Sequence, residues 1–191
     1  MIRFLNDKTV SAIRYGQGTI VKLAPEIEKA LITEGAAENY PLISRPIEIL
    51  SNSAVPASCT LTNVDEVLAS YTVAAGTLGV NSILQIEPLW VFSDSASDKI
   101  LKIRIGGTTV YTATQTTSTK AAPLFVLANR NSLTSQIKPY EGAYMTSASI
   151  TPETYAIDFS RNQTVEITSR GSGRGDSLVL EYYRILHFIR D

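Results

Sequence analysis

The sequence predicts a mainly β protein: a jelly-roll-like antiparallel β-sandwich preceded by a small N-terminal β-hairpin and helix unit. Three observations predict it. From Glu66 onward, segments rich in Ile, Val, Thr, Tyr and Phe follow one another, separated by polar or Gly/Ser breaks. No strand–helix–strand rhythm runs through them, which argues against a doubly wound nucleotide-binding fold or a hydrolase fold. Finally, Lys102 to Tyr111 alternates polar and apolar residues into Gly106-Gly107, the pair that a two-residue hairpin turn with positive φ angles requires.

Residues 1–45 read as a separate unit. Arg3–Leu5 and Val10–Arg14 are short strand candidates around an Asn6-Asp7 turn, and Gly16-Gln17-Gly18 turns the chain into Thr19–Leu23. A helix follows: Pro25 suits its first turn, Glu26 and Glu28 complement its positive end, Ile27, Ala30 and Leu31 share a face, and Gly35 supplies the left-handed stop. Residues 46–66 read as an extended connector punctuated by Pro46 and Pro56, with Ile47–Leu50 as the alternative first strand of the main domain. Residues 67–191 form the sandwich, with strands expected at 67–74, 83–92, 99–105, 108–116, 154–159, 164–168 and 178–189. In the hairpin, Ile103, Ile105 and Val110 face the core, and Lys102 and Arg104 face water. The stretch 123–150 has no clear period and suits a short helix or a long connection between sheets.

Composition narrows the functions open to such a fold. Lys and Arg number 17 against 18 Asp and Glu, a net charge of -1, so no basic excess is present to neutralise phosphates. The single cysteine, Cys59, excludes an intrachain disulfide, and with His187 as the only histidine a Cys-rich or multi-histidine metal site is excluded too. Charge is uneven: residues 46–98 contain no Lys or Arg but hold Glu48, Asp65, Glu66, Glu87, Asp94 and Asp98. This stretch could present an acidic face to a basic partner, or be the acidic half of a domain whose positive half lies elsewhere. The N-terminus meets charge before any apolar run of signal-peptide length, and no stretch reaches the ~20 apolar residues of a spanning helix, so synthesis in a cytoplasm is expected.

Individual motifs are weak. Arg174-Gly175-Asp176 in a Gly/Ser loop matches an adhesion tripeptide, and equally an ordinary hairpin connection. His187 alternates with Tyr183, Ile185 and Ile189 on the last strand, without a motif for a nucleophile and acid beside it. Cys59 has no local cation to activate it, and Asp94 to Asp98 lacks the ligand count of a calcium loop. Trp90, Tyr182 and Tyr183 are core residues or platforms for stacking a sugar, the latter marking a carbohydrate-binding module.

Two stretches carry a family resemblance. Thr9–Leu23, running into Glu28–Glu38, resembles the short N-terminal modules of tailed-bacteriophage virion proteins. Ala75–Trp90 followed by Asp98–Gly107 is similar to a β-sandwich of phage structural proteins: a loop, a long strand ending in an aromatic, then a Lys-containing strand into a Gly-Gly hairpin. The resemblance implies a non-enzymatic virion protein, a capsid decoration or cement protein that binds and stabilises the head shell. A head-fibre, tail-fibre or adaptor component, receptor- or glycan-binding, is the alternative. It implies the major capsid protein or other virion proteins as partners, a homodimer or homotrimer, and a place in the virion, with no catalytic residue, cofactor, metal, nucleic acid or membrane. Tyr15, Ile27, Leu31 and Tyr40 are then the candidates for contact with the capsid.

Overall fold

The computed structural model describes residues 2–5, 8–10, 13–15, 20–21, 23–39, 47–138, 153–173 and 175–189. The chain forms two compact units, 1–45 and 46–191.

In the first unit, strand β1 (Ile2–Phe4) lies between β4 (Ile20–Val21) and β5 (Ala37–Asn39), and β2 (Lys8–Val10) pairs with β3 (Ile13–Tyr15). Of the stretch expected as one strand over 10–14, Val10 ends β2 and Ile13 and Arg14 lie in β3, with Val10 opposite Ile13, while residues 11 and 12 lie outside the described residues. Helix α1 (Pro25–Thr33) starts and stops where its end signals place it. Glu28 reaches back to accept the Leu23 N–H at 2.8 Å, and beyond the helix the Ala36 N–H returns to the Leu31 carbonyl while Gly35 takes φ +70°. Leu31, at 5% exposure, forms this unit's core with Ala36 and Ala37, and Ile27, Ile32, Val10 and Leu23 pack around it. Ala30, expected on the same face, is exposed.

The second unit is a sandwich of two antiparallel sheets. Its strands are β6 (Ile47–Ser53), β7 (Ala57–Ser58), β8 (Glu66–Val73), β9 (Ile83–Phe92), β10 (Lys99–Ile105), β11 (Thr108–Gln115), β12 (Lys120–Ala121), β13 (Phe125–Asn129), β14 (Gln136–Ile137), β15 (Thr154–Tyr155), β16 (Gln163–Gly171) and β17 (Leu178–Phe188). The smaller sheet runs β8-β16-β10-β11 and the larger β6-β17-β9-β13-β14-β15, with β7 and β12 as short additions to β17 and β9. Four stretches of chain (β6 to β8, β16 to β17, β9 to β10, β11 to β13) therefore each give one strand to each sheet, in the same lateral order. That is the winding of a jelly roll, as expected. The registers place all four crossings at one end of the sandwich: Lys99 is opposite both Gly171 and Gln115, Leu178 is opposite Phe92, and Ser169 is opposite Glu66. The expected connector over 46–66 is thus largely the first of these runs, with β6 hydrogen-bonded to β17.

Alternation does the packing. Leu84, Ile86, Trp90 and Phe92 of β9 meet Leu101, Ile103 and Ile105 of β10, Val165 and Ile167 of β16, and Leu178, Leu180 and Ile185 of β17. Trp90 is fully buried, which removes it as an exposed stacking platform. Three outer strands carry a bulge: the register shifts at Leu50 of β6, Leu68 of β8 and Val110 of β11. Glu48, on the edge strand β6, lies opposite inward-facing His187. Bulges and inward charges both spoil an edge for pairing with another strand.

The β10–β11 turn has Gly106 at φ +57° and Gly107 at φ +78°. A Cβ at Gly107 meets open space, whereas one at Gly106 would run into the Gln163 side chain. Gly107→Ala is expected to cost about 1 kcal/mol from the left-handed backbone alone. Gly106→Ala should cost more, and the order of the two denaturation midpoints in urea checks it.

Candidate functional site

Two buried polar networks, one at each end of the sandwich, hold the side chains on which any chemistry would depend. At the crossing end, Lys99 begins β10 pointing inward and is fully buried. Its ammonium donates to the Ser95 Oγ at 2.7 Å and to the carbonyls of Ser97 (2.9 Å), Thr116 (3.0 Å) and Ser95 (3.1 Å), with the Asp176 carboxylate at 3.9 Å. Ser95 in turn donates to Asp176 at 2.7 Å. Three of the four crossings thus converge on one buried charge, which is satisfied by oxygen on every proton. The loop Asp94 to Asp98 folds its carbonyls around this lysine, in the place a loop-bound cation would occupy. The fourth crossing is held by the Asn63 N–H donating to the Gly171 carbonyl at 2.9 Å and by the Cys59 thiol over the Ser169 carbonyl. Burial pushes the Cys59 thiol up, so it is a packing residue and not a nucleophile.

The adhesion-like loop belongs to the same network. Gly175 takes φ +86°, the Asp176 N–H donates to the Gly173 carbonyl at 3.1 Å, and the Asp176 side chain turns inward to Ser95. A Cβ at Gly173 would strike that carboxylate. Adhesion needs the carboxylate presented outward, and here it is a structural acceptor; Arg174 lies outside the described residues.

At the other end, His187 Nε2 lies 2.9 Å from the Ser82 Oγ, and its Nδ1 lies 3.5 Å from a Glu48 carboxylate oxygen. Serine, histidine and acid in that order have the outline of a hydrolytic triad, which sequence spacing could not reveal because the three residues are brought together from β6, the start of β9 and β17. Access decides against a nucleophile. Ser82 is 2% exposed, and its Oγ already accepts the Gly79 N–H at 2.8 Å. The network then continues away from any surface: Asn129 Nδ2 donates to the Gly79 carbonyl at 2.7 Å, Gln136 Nε2 to Asn129 Oδ1 at 3.2 Å, and the Ile157 N–H to Gln136 Oε1 at 2.9 Å. It ties β13, β14 and the loops before β9 and β16 together, as a buried core network does, and of the two His187 ring nitrogens Nδ1 is the one that makes no hydrogen bond.

Two of the six acids of the base-free stretch, Asp65 and Glu87, are neutralised from within. Lys102 donates to Asp65 at 2.6 Å, Arg104 joins it, and Arg170 lies 3.7 Å from its other oxygen. Partial burial raises the Asp65 carboxyl, but the Lys102 hydrogen bond and the three cations outweigh it and hold it below the usual range. Arg184 pairs through two nitrogens with Glu87, and Glu66 caps the Thr60 N–H and hydroxyl. Lys102 and Arg104, expected to be free in water, are thus clamped to Asp65.

Of the candidates for capsid contact, Leu31 is occupied by its own unit's core, and Ile27 is half-buried beside it. Tyr15 ends β3 opposite Lys8, and Tyr40 lies outside the described residues. Among the described residues, no group of three or more His, Cys, Asp or Glu side chains is placed to hold a metal, and no helix is long and apolar enough to cross a membrane.

No family model and no curated protein matches the chain. Among solved structures it is similar to the CBM2 module of the evolved Dit of Lactobacillus casei BL23 phage J-1, with 10% identity over 64% of this chain and 70% of that one and a TM-score of 0.35. It is also similar to the VP2 subviral particle of infectious bursal disease virus (14% identity, 76% of this chain and 41% of that one, TM-score 0.28) and to the Gx strain of that virus (15%, 93% and 47%, 0.25). The chain spans under half of each of those two viral chains. Similarity at this level assigns neither a family nor a ligand.

Replacing Lys99 by Met strands three carbonyls and a carboxylate at the crossing end, with an expected loss of about 3 kcal/mol in chemical denaturation. At the other end, Ser82→Ala should cost about 1–3 kcal/mol by unpairing the Gly79 N–H and His187. The wild-type protein should hydrolyse an activated ester no faster than free imidazole does. Turnover abolished by both Ser82→Ala and His187→Gln would instead establish a nucleophile.

Proposed function

We propose that this protein is a non-enzymatic structural component of a bacteriophage virion, of the decoration or cement type, that binds and braces the head shell. The observation that carries the reading is the division of the chain into a small helix-bearing unit and a jelly-roll body, added to the resemblance of Thr9–Glu38 and Ala75–Gly107 to phage virion proteins. Attachment through one unit and bracing through the other needs this organisation and no reactive site. The site inventory agrees in kind, since the buried Lys99, Ser82 and His187 are all engaged in holding loops and strands. Homo-oligomerisation and contact with the major capsid protein are part of the proposal, with Tyr15, Ile27 and Tyr40 as the candidates on the attachment side.

The test mixes the full-length chain, and a version starting at Pro46 whose circular dichroism retains its sheet signal, with empty capsids of the parent phage. The full chain should co-sediment in tens to hundreds of copies spread over the lattice, and the shortened one should stay in the supernatant. Binding confined to a tail or a single vertex would move the protein to the fibre or adaptor class. Absence of binding to any part of the particle would end the virion reading.

A further inference from the structure

On the smaller sheet, alternation sends Leu101, Ile103 and Ile105 of β10 and Val165 and Ile167 of β16 to the core, and Lys102, Arg104, Thr168 and Arg170 to the outer face. The register sets Lys102 beside Thr168, with Arg104 and Arg170 on the flanking rows and Glu166 opposite Arg104. One carboxylate, Asp65, is held among the three cations. Lys102 and Arg104 share its Oδ2, and the Arg170 Nε stops 3.7 Å short of its Oδ1. The fit is incomplete. Six buried side-chain polar atoms have no hydrogen-bond partner among the described residues, and three of them are here: Asp65 Oδ1, Thr168 Oγ1 and Arg170 Nε. Thr168 is fully buried, so its hydroxyl has no water to turn to. The side chains of Lys102, Arg104 and Arg170 remain 17%, 29% and 37% exposed, so an anion from solvent can reach the cations.

The geometry points to this cluster as a binding site for one tetrahedral oxyanion, a phosphate or sulfate group, with Asp65 as an internal stand-in that the ligand displaces. Three features select that ligand. A carboxylate is planar and offers two oxygens, one of which already serves two cations, so Arg170 and Thr168 go without; a tetrahedral anion turns oxygens in enough directions for all four groups. Charge agrees: with Asp65 displaced, three cations against Glu166 leave two positive charges, the charge of a phosphate or sulfate dianion. The stand-in is also carried on a segment able to move. Asp65 follows Thr62, Asn63 and Val64, all exposed, and Leu61 and Asn63 hold the left-handed φ values of +57° and +60° that side-chain-bearing residues disfavour, so release of the loop relieves strain. The site is independent of shell binding.

Isothermal titration of the full chain with inorganic phosphate and with sulfate, against chloride at equal ionic strength, reads the site. Wild type should bind one anion saturably, and Asp65→Asn, which removes the internal competitor and keeps its shape, should bind at least about tenfold tighter. Phosphate should also restore the melting temperature that Asp65→Asn loses, beyond the general salt effect seen when Arg170→Gln is added to it. Thr168→Val separates a ligand contact from a structural one. Its hydroxyl has no partner without the ligand, so the melting curve of the unliganded protein should hold, while oxyanion affinity falls at least about threefold. Competition by a phosphorylated or a sulfated monosaccharide supports the site and names the source of the group. Absence of saturable binding to the wild type overturns the inference, whatever Asp65→Asn does. So does binding that Thr168→Val and Arg170→Gln leave unchanged, or acetate bound as tightly as phosphate, since the cluster would then be a carboxylate clamp and no more.

Discussion

The buried ammonium of Lys99 is the point on which the sandwich turns. A jelly roll of this winding must bring four chain crossings to one end, and each crossing leaves backbone carbonyls without strand partners. Three crossings send an oxygen to one nitrogen: Ser95 and Ser97 from the first, Thr116 from the second and, through Ser95, Asp176 from the third. One charge so satisfied closes an end that apolar packing alone could not, because the groups to be covered are polar. The loop that looked like an adhesion motif is a by-product of the same need. Its carboxylate is spent inward, and its glycines allow the chain to pass close to it.

The opposite end solves a similar problem with amide, hydroxyl and imidazole groups. Gln136, Asn129, Ser82 and His187 form a chain of hydrogen bonds from the Ile157 loop to the edge strand, where Glu48 faces the imidazole. Its resemblance to a catalytic triad shows how little three side chains in sequence mean without access. A hydroxyl that accepts one N–H and faces a histidine inside the core holds a turn in place; the same atoms at the floor of a cleft would be a nucleophile. Between the two ends, two acids of the base-free stretch meet counterparts from distant strands, Asp65 on β10 and β16 and Glu87 on β17.

Much of the fold was legible in the amino-acid order, and for a reason. Strands β9 and β10 fall on the expected 83–92 and 99–105, because strict alternation over seven to ten residues has no competing helical reading. Helix α1 was legible from its end signals, Pro25, Glu26, Glu28 and Gly35. What escaped was whatever depended on partners distant in sequence. The strand expected over 154–159 shortens to Thr154–Tyr155, because Ile157 leaves the ladder to bond Gln136. The 123–150 stretch contributes β13 and β14, whose two to five residues are too short to show a period. The start of the expected connector is β6, the alternative strand reading of 47–50 extended to Ser53, and it lies on the side of β17 that β9 leaves free.

The sequence by itself determined the class of structure, the Gly106-Gly107 turn and the exclusion of an intrachain disulfide and of a Cys-rich or multi-histidine metal site, since periodicity, glycine placement and composition are local properties. Only the tertiary structure decided what each polar residue does. Lys99 and Lys102 lie in one alternating strand three residues apart, yet one is a buried clasp and the other a surface partner of Asp65. The difference arises because odd and even positions of β10 face opposite sides of the sheet, and what waits on each side is supplied by crossings and strands from elsewhere in the chain.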